Sequence, residues 1–221
     1  MRCTALLPMK GHSERVPDKN IRDFCGKPLY HHIAQTLLAS QYISEVVINT
    51  DSEKITLDAQ NNFDRVRVIE RPENIRGDFV EMNTIIGYDL SQCKGDHFLQ
   101  THSTNPLLRT KTIDRAVEAY FENLGKYDSL FSVTRWQTRF YFKDGSAVNH
   151  NPSELLRTQD QPPLYEENSN IYIFSKESFT SAGNKRIGLK PFLFEIDRLE
   201  AVDIDEETDF ILAETLYRIK D

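Results

Sequence analysis

The stretch Met9–Ile21 gathers Lys10, Arg15 and Lys19 with Gly11 and Ser13, a set of groups that suits a polyphosphate. Lysine and arginine heads, backbone N–H groups and a hydroxyl can all point inward around such a ligand. No Gly-Lys-Ser/Thr precedes a helix here, so this is not a Walker phosphate loop. Composition alone equally allows a solvated basic loop. Far along the chain, Asp203 and Asp205 stand two residues apart, on one side of an extended segment. Two convergent carboxylates beside phosphates make a Mg2+ site, because hard oxygen ligands suit that ion and it keeps several waters. Asp205 with Glu206 and Glu207 would equally cap a helix and complement its dipole.

Other loops carry polar groups at informative places. Asp51 ends the apolar run Val46–Thr50 just before a helical stretch, where aspartate is a favoured N-cap. Gln100 opens Thr101-His102-Ser103-Thr104-Asn105, short hydrogen-bonding groups of the kind that read a sugar hydroxyl or a base edge. His102 could serve as a general base, although a loop histidine more often makes structural hydrogen bonds. Cys3, Cys25 and Cys93 are odd in number, widely spaced and without CxxC geometry. They suggest neither a disulfide framework nor a zinc site, and are expected to be small buried or partly buried residues.

The elements that must position these loops alternate between short apolar runs and amphipathic stretches. Strands are expected at Thr4–Pro8, Val46–Thr50, Arg67–Ile69, His97–Gln100 and Ser129–Val133. A helix is expected over Thr112–Leu124, where Ile113, Ala116, Val117, Tyr120, Phe121 and Leu124 recur every three or four residues. Such alternation predicts an α/β fold, a mostly parallel sheet covered by helices on both faces. Ligands of open α/β sheets bind beyond the carboxyl ends of the strands, which is where the loops above fall. Past residue 135 the pattern loosens. Phe140–Gly145 reads as a strand entering an Asp-Gly hairpin, Asn170–Phe174 and Leu199–Ile204 as two more strands, and Glu206–Lys220 as a closing helix with Phe210, Ala213 and Tyr217 on one side.

The chain has 221 residues and a formal net charge of −7, which fits one soluble domain over residues 1–221 and argues against nucleic acid as a partner. An acidic protein that holds a triphosphate must gather its cations locally, as Met9–Ile21 does. No apolar run approaches the ~18 residues needed to span a bilayer, and the N-terminus lacks a signal-peptide layout, so a cytoplasmic location is expected.

Taken in order, these segments resemble the acylneuraminate (sugar-acid) cytidylyltransferase family. Ser13, Arg15, Pro17, Lys19 and Asn20 match its first-loop signature, followed by Gly26-Lys27-Pro28-Leu29. Asn49-Thr50-Asp51, Arg71-Pro72, Leu99-Gln100, the region from Arg157 to Tyr172, and Asp203-Ile204-Asp205 with Asp209 and Phe210 are similar to later family elements. Three positions depart: Lys10 stands where Arg is usual, Glu14 where a cation is usual, and Ser169 where Gly is usual. Glu14 would repel phosphate unless it turns outward.

The resemblance implies a three-layer α/β/α Rossmann-like nucleotidyltransferase fold. It also implies attack by the anomeric hydroxyl of a 2-keto sugar acid on the α-phosphorus of CTP, with release of pyrophosphate. On this likeness Lys10, Arg15 and Lys19 grip the phosphates, and Ser13, Asn20, Asp51 and Arg71 shape the nucleotide pocket. Gln100, Gln159 and Asn168 border the sugar, Asp203 and Asp205 hold Mg2+, and residues 136–168 build a dimerisation and sugar-pocket segment of a homodimer. The aromatic group Trp136, Phe140, Tyr141 and Phe142 suits packing or dimer contact better than a ligand platform. Two alternatives stand beside this: a sugar-phosphate nucleotidyltransferase or glycosyltransferase on a similar sheet, and a catalytically weak nucleotide-binding homologue.

Overall fold

The computed structural model describes residues 1–154 and 156–220. The first half runs β1 (Cys3–Pro8), the two-residue strands β2 (Asp23–Phe24) and β3 (Lys27–Pro28), α1 (Leu29–Ala39), β4 (Ile43–Thr50), α2 (Glu53–Asn62), β5 (Val66–Glu70), α3 (Met82–Gln92) and β6 (His97–Gln100). It continues through α4 (Thr110–Asn123), β7 (Ser129–Trp136), β8 (Leu164–Ser175), α5 (Lys176–Ser181), β9 (Pro191–Glu195) and α6 (Glu207–Lys220).

Seven strands form one sheet in the order β5-β4-β1-β6-β8-β7-β9. β1 pairs in parallel with β4 and β6, as do β4 with β5 and β7 with β9, whereas β8 runs antiparallel to both β6 and β7. β1 is buried throughout because helices cover both faces of the sheet. On one face α1, α2 and α4 pack Ile33, Leu37, Ile55, Ala59, Ile113 and Val117 against Leu7, Ile48 and Leu99. On the other, Ile86 and Leu90 of α3 and Phe179 of α5 meet Leu6, Val47 and Phe98. This is the expected three-layer α/β/α arrangement. Among the described residues, no helix is long and apolar enough to cross a membrane.

A third apolar cluster matters most for function. Val16 of the first loop and Phe24 and Leu29 beyond it pack with Ile204, Phe210 and Ala213. Phe210 is almost wholly buried, and truncating such a ring costs about 3–5 kcal/mol. That apolar contact joins the cationic first loop to the Asp203–Asp205 segment, nearly two hundred residues away in sequence.

Several expectations need correction. Leu199–Ile204 is not a strand: Glu200 and Ala201 turn back to Asp197, and the Ile204 N–H donates to the Thr104 carbonyl instead of to a ladder. The seventh strand is β9, an edge strand that starts on a proline. The Asp144-Gly145 turn forms, with Gly145 at φ +86°, but its arms share only the bridge between Tyr141 and Ala147. β8 is much longer than Asn170–Phe174. Its register against β7 breaks between Phe131 and Val133, where Ser169 takes φ +59°. The helices α1, α3 and α5 were not anticipated.

Candidate functional site

At the carboxyl ends of β1, β4 and β6 the loops enclose a cavity of about 420 Å³. Its wall includes Lys10, Ser13, Arg15, Lys19, Asn20, Arg71 and Asp205, so the structure brings together most of the residues singled out from sequence. The first loop is pinned where it leaves β1. Gly11 N–H donates to Asp51 Oδ1 at 2.7 Å. A side chain at position 11 would put its Cβ 2.8 Å from the Ser52 Cβ, so this approach requires glycine. Asn20 ties the loop to its neighbours, donating to the Lys10 carbonyl at 2.9 Å and accepting from Ser103 Oγ at 2.6 Å.

Each of the three cations meets a carboxylate of the protein. Lys10 pairs with Asp78, Arg15 donates to Asp205 Oδ1 at 2.8 Å, and Lys19 lies 3.9 Å from the same oxygen while donating to the Ile204 carbonyl at 2.6 Å. Burial pulls the Lys19 ammonium below its usual range, an effect partly opposed by Asp205 and Asp203. Burial also raises the Asp203 carboxyl, with the hydrogen bond from Thr104 opposing and the charge of Asp205 adding to the rise. Glu14 stands on the same cavity wall. It is exposed and forms no ion pair among the described residues.

Neither Asp51 nor Asp205 serves as a helix cap. Ser52 caps α2, accepting from the Ile55 N–H, which leaves Asp51 to hold Gly11. Asp209 reaches back to the N–H groups of Asp205 and Glu206 at 3.0 and 2.8 Å, satisfying the start of α6. The Asp205 carboxylate is thereby left for the cavity. Next to it, Asn105 donates to Asp203 Oδ1 at 3.4 Å, while its own Oδ1 is buried without a partner. No cluster of three or more His, Cys, Asp or Glu residues able to hold a metal occurs among the described residues. Of the expected convergent pair only Asp205 lines this cavity, Asp203 bordering another one, yet one carboxylate still fits Mg2+, which takes one or two protein carboxylates and fills its shell from water and phosphate.

Arg71 is almost completely buried. Its Nε donates to Asn49 Oδ1 at 2.7 Å, and its Nη2 donates to the carbonyls of Met9 and Asn49, each at 3.0 Å. Behind it Asn49 donates to Asp89 Oδ1 at 2.5 Å, and burial raises the Asp89 carboxyl to about 7. Arg71 therefore braces the ends of β1 and β4 while edging the cavity.

Gln100 is buried behind the wall. It accepts from Arg186 Nη1 at 2.5 Å and donates to the Thr101 carbonyl at 2.8 Å. Its amide nitrogen lies 3.3 Å from His102 Nε2, and His102 does line the cavity. Burial, with Arg186 and Lys19 nearby, lowers the His102 pKa to about 3. At neutral pH the ring is uncharged and a weak base, which argues against the general-base role considered for it.

Three residues lie elsewhere. Asn168 and Asp203 border a second cavity of about 570 Å³ with Thr134, Trp136 and Arg198. The Asn168 amide is committed to the β7–β8 irregularity, accepting from Ser132 Oγ at 2.6 Å and donating to Thr134 Oγ1 at 3.0 Å. Gln159 is exposed in a short 3-10 turn and borders neither cavity, because only its carbonyl is used, by Gln137. Sequence reasoning missed Asp78, which engages Lys10, and Arg186, which holds Gln100. Arg186 lies in no motif. Its loop between α5 and β9 reaches the site only through the fold.

Comparison with known proteins gives one consistent answer. The family model described as Cytidylyltransferase matches residues 4–218. The chain is 26% identical over 235 residues to a pseudaminic acid cytidylyltransferase of Campylobacter jejuni, covering 99% of this chain and 97% of that one. It is 27% identical, with the same coverage, to a CMP-N,N'-diacetyllegionaminic acid synthase of Legionella pneumophila. Among solved structures, a CMP:2-keto-3-deoxy-manno-octonic acid synthetase complexed with CTP superposes with a TM-score of 0.73 over 100% of both chains at 11% identity. At that identity the likeness speaks for the fold.

Proposed function

The chain belongs to the cytidylyltransferase family, and from that premise we propose that it transfers CMP from CTP to the anomeric hydroxyl of a 2-keto sugar acid. The chain is a nucleotidyltransferase, and the observation that supports this particular reaction is the cavity in which Lys10, Arg15 and Lys19 face Asp205 and His102. Relatives named for pseudaminic acid and diacetyllegionaminic acid support a nine-carbon acid as acceptor.

The first loop binds the triphosphate with its three cations and its backbone. Those groups stabilise the charge that develops on the departing pyrophosphate, and loss of one such donor typically costs 10²–10³-fold in rate. Asp205 would hold Mg2+, which when bound polarises phosphate oxygens. Neutral His102 can hydrogen-bond a hydroxyl without taking its proton, so positioning and electrostatics carry the acceleration. A homodimer through residues 136–168 is part of the same proposal, supported by Tyr141, Phe142, Leu156 and Tyr165, all exposed in that segment.

Pyrophosphate release from CTP with magnesium and a panel of sugar acids tests the reading. Turnover is expected with at least one 2-keto sugar acid and is expected to fall about 100-fold or more in Asp205→Asn. Turnover confined to a sugar 1-phosphate would overturn it. Glu14 on the cavity wall favours a second reading, a nucleotide-binding homologue of weak activity, for which CTP would bind without release of pyrophosphate.

A further inference from the structure

We propose that Arg186 is the anion anchor of the acceptor subsite, presenting its guanidinium beside the Gln100 amide to the carboxylate of the sugar acid. The inference rests on the transferase reading above and adds to it the residue that selects an acidic acceptor.

Arg186 is held at three points. Its backbone N–H donates to Asn83 Oδ1 at 3.3 Å in the first turn of α3. Its guanidinium lies 3.6 Å from the centroid of the Tyr172 ring, and Nη1 donates to Gln100 Oε1 at 2.5 Å. Stacking and one directional hydrogen bond fix the plane of the fork, so further N–H donors are presented in a set direction.

The charge itself is not compensated. Arg186 appears in none of the ion pairs among the described residues, in contrast to Lys10, Arg15 and Lys19. The carboxylate it senses, that of Glu167, is taken by the Tyr172 hydroxyl, and Gln100 is neutral. Burial lowers the Arg186 pKa, yet a guanidinium starts high enough to stay charged. A half-buried cation whose side-chain partners are neutral is left to be completed by an anion.

The location identifies the anion. Gln100 contacts His102 on the cavity wall, and His102 is under the influence of Lys19 from the first loop as well as of Arg186. Arg186 stands behind Gln100 and outside that wall, so the His102 imidazole has a cation of the wall, Lys19, and a cation behind the wall, Arg186, close to it. The first-loop side is built for the phosphates of the donor. A second cation is needed only when the acceptor is itself an anion, and a planar fork matches a carboxylate bidentately.

The test compares wild type, Arg186→Gln and Arg186→Lys in pyrophosphate release, with CTP, magnesium, and a 2-keto sugar acid or its carboxamide. In Arg186→Gln the KM for the acid is expected to rise about 30-fold or more while the KM for CTP stays within about twofold. Preference for the acid over the carboxamide should disappear, and Arg186→Lys should restore part of it. An unchanged KM for the acid, a preference retained in Arg186→Gln, or equal rises for acid and CTP would each overturn the proposal. Should Arg186→Gln melt below the assay temperature, Gln100→Glu supplies an internal carboxylate and keeps the stack. It should raise the KM for the acid similarly, and no rise would overturn the proposal. Wild-type protein that accepts a sugar 1-phosphate and no acid refutes the sugar-acid reading itself, and the carboxylate anchor falls with it.

Discussion

Asp89→Asn should stabilise the protein increasingly as pH rises. Asp89 is fully buried in α3, with one oxygen accepting from Asn49 and the other without a partner. Burial raises its carboxyl from 3.8 to about 7, although Asn49, Arg71 and Arg67 all act in the opposite direction. Between those two values the folded protein keeps a proton that the unfolded chain has released. Stability therefore falls as pH rises through that window and is flat above it. From about pH 5 to about pH 8 the folded state forgoes roughly two pH units of this linkage, or about 2–3 kcal/mol at ~1.4 kcal/mol per unit. Asparagine does not titrate, so the stability of Asp89→Asn relative to wild type should grow by that amount. In thermal melts of a chain this size the difference in Tm should widen by on the order of 8 °C. A difference independent of pH would refute the argument. Such an outcome would mean that Asp89 is ionised throughout that range, the opposite electrostatics for the cavity edge.

Three further substitutions probe the loops. Ser169→Gly should stabilise the fold by about 1 kcal/mol in urea melts, since a residue with a Cβ is strained at φ +59°, and a loss of stability would show that the 3.2 Å contact with the Tyr172 hydroxyl outweighs the strain. Glu14→Lys should raise CTP affinity about 3–10-fold at low salt and less at high salt, measured by calorimetry; no change would place the Glu14 head in bulk solvent. Gly11→Ala must displace Ser52 or break the 2.7 Å contact with Asp51, so the KM for CTP should increase ~10-fold or more, and an unaltered KM would mean that the loop position is not critical.

The parts of the fold that could be read from sequence are those where periodicity and burial agree. Thr112–Leu124 was legible because Ile113, Ala116, Val117 and Tyr120 face the core while charged residues face solvent. Helix α1 was not, because His31 and His32 are buried among its apolar residues and blur the pattern. His32 is accommodated by donating from Nε2 to the Phe24 carbonyl at 2.8 Å, and burial lowers its pKa to about 4. β9 escaped notice because it opens with Pro191 and only Phe194 is fully covered, as suits an edge. At the site, residues within the first loop were found because they cluster in sequence. Asp78, Arg186 and the true part of Asp51 were not, since each acts through a partner 40 or more residues away.

The pairing of Lys10 with Asp78, and of Arg15 and Lys19 with Asp205, gives the site the character of an ion exchanger loaded with its own counter-ions. An anion gains access by displacing an aspartate that is tethered to the fold and therefore present at high effective concentration. Acetate or chloride offers one charge for that displacement and is a poor competitor. A triphosphate arrives with several, and a divalent cation brought with it would give the released Asp205 a new partner. Discrimination against the small anions of the cell is thus supplied by the acidic residues of a protein whose net charge of −7 would otherwise seem ill suited to binding CTP.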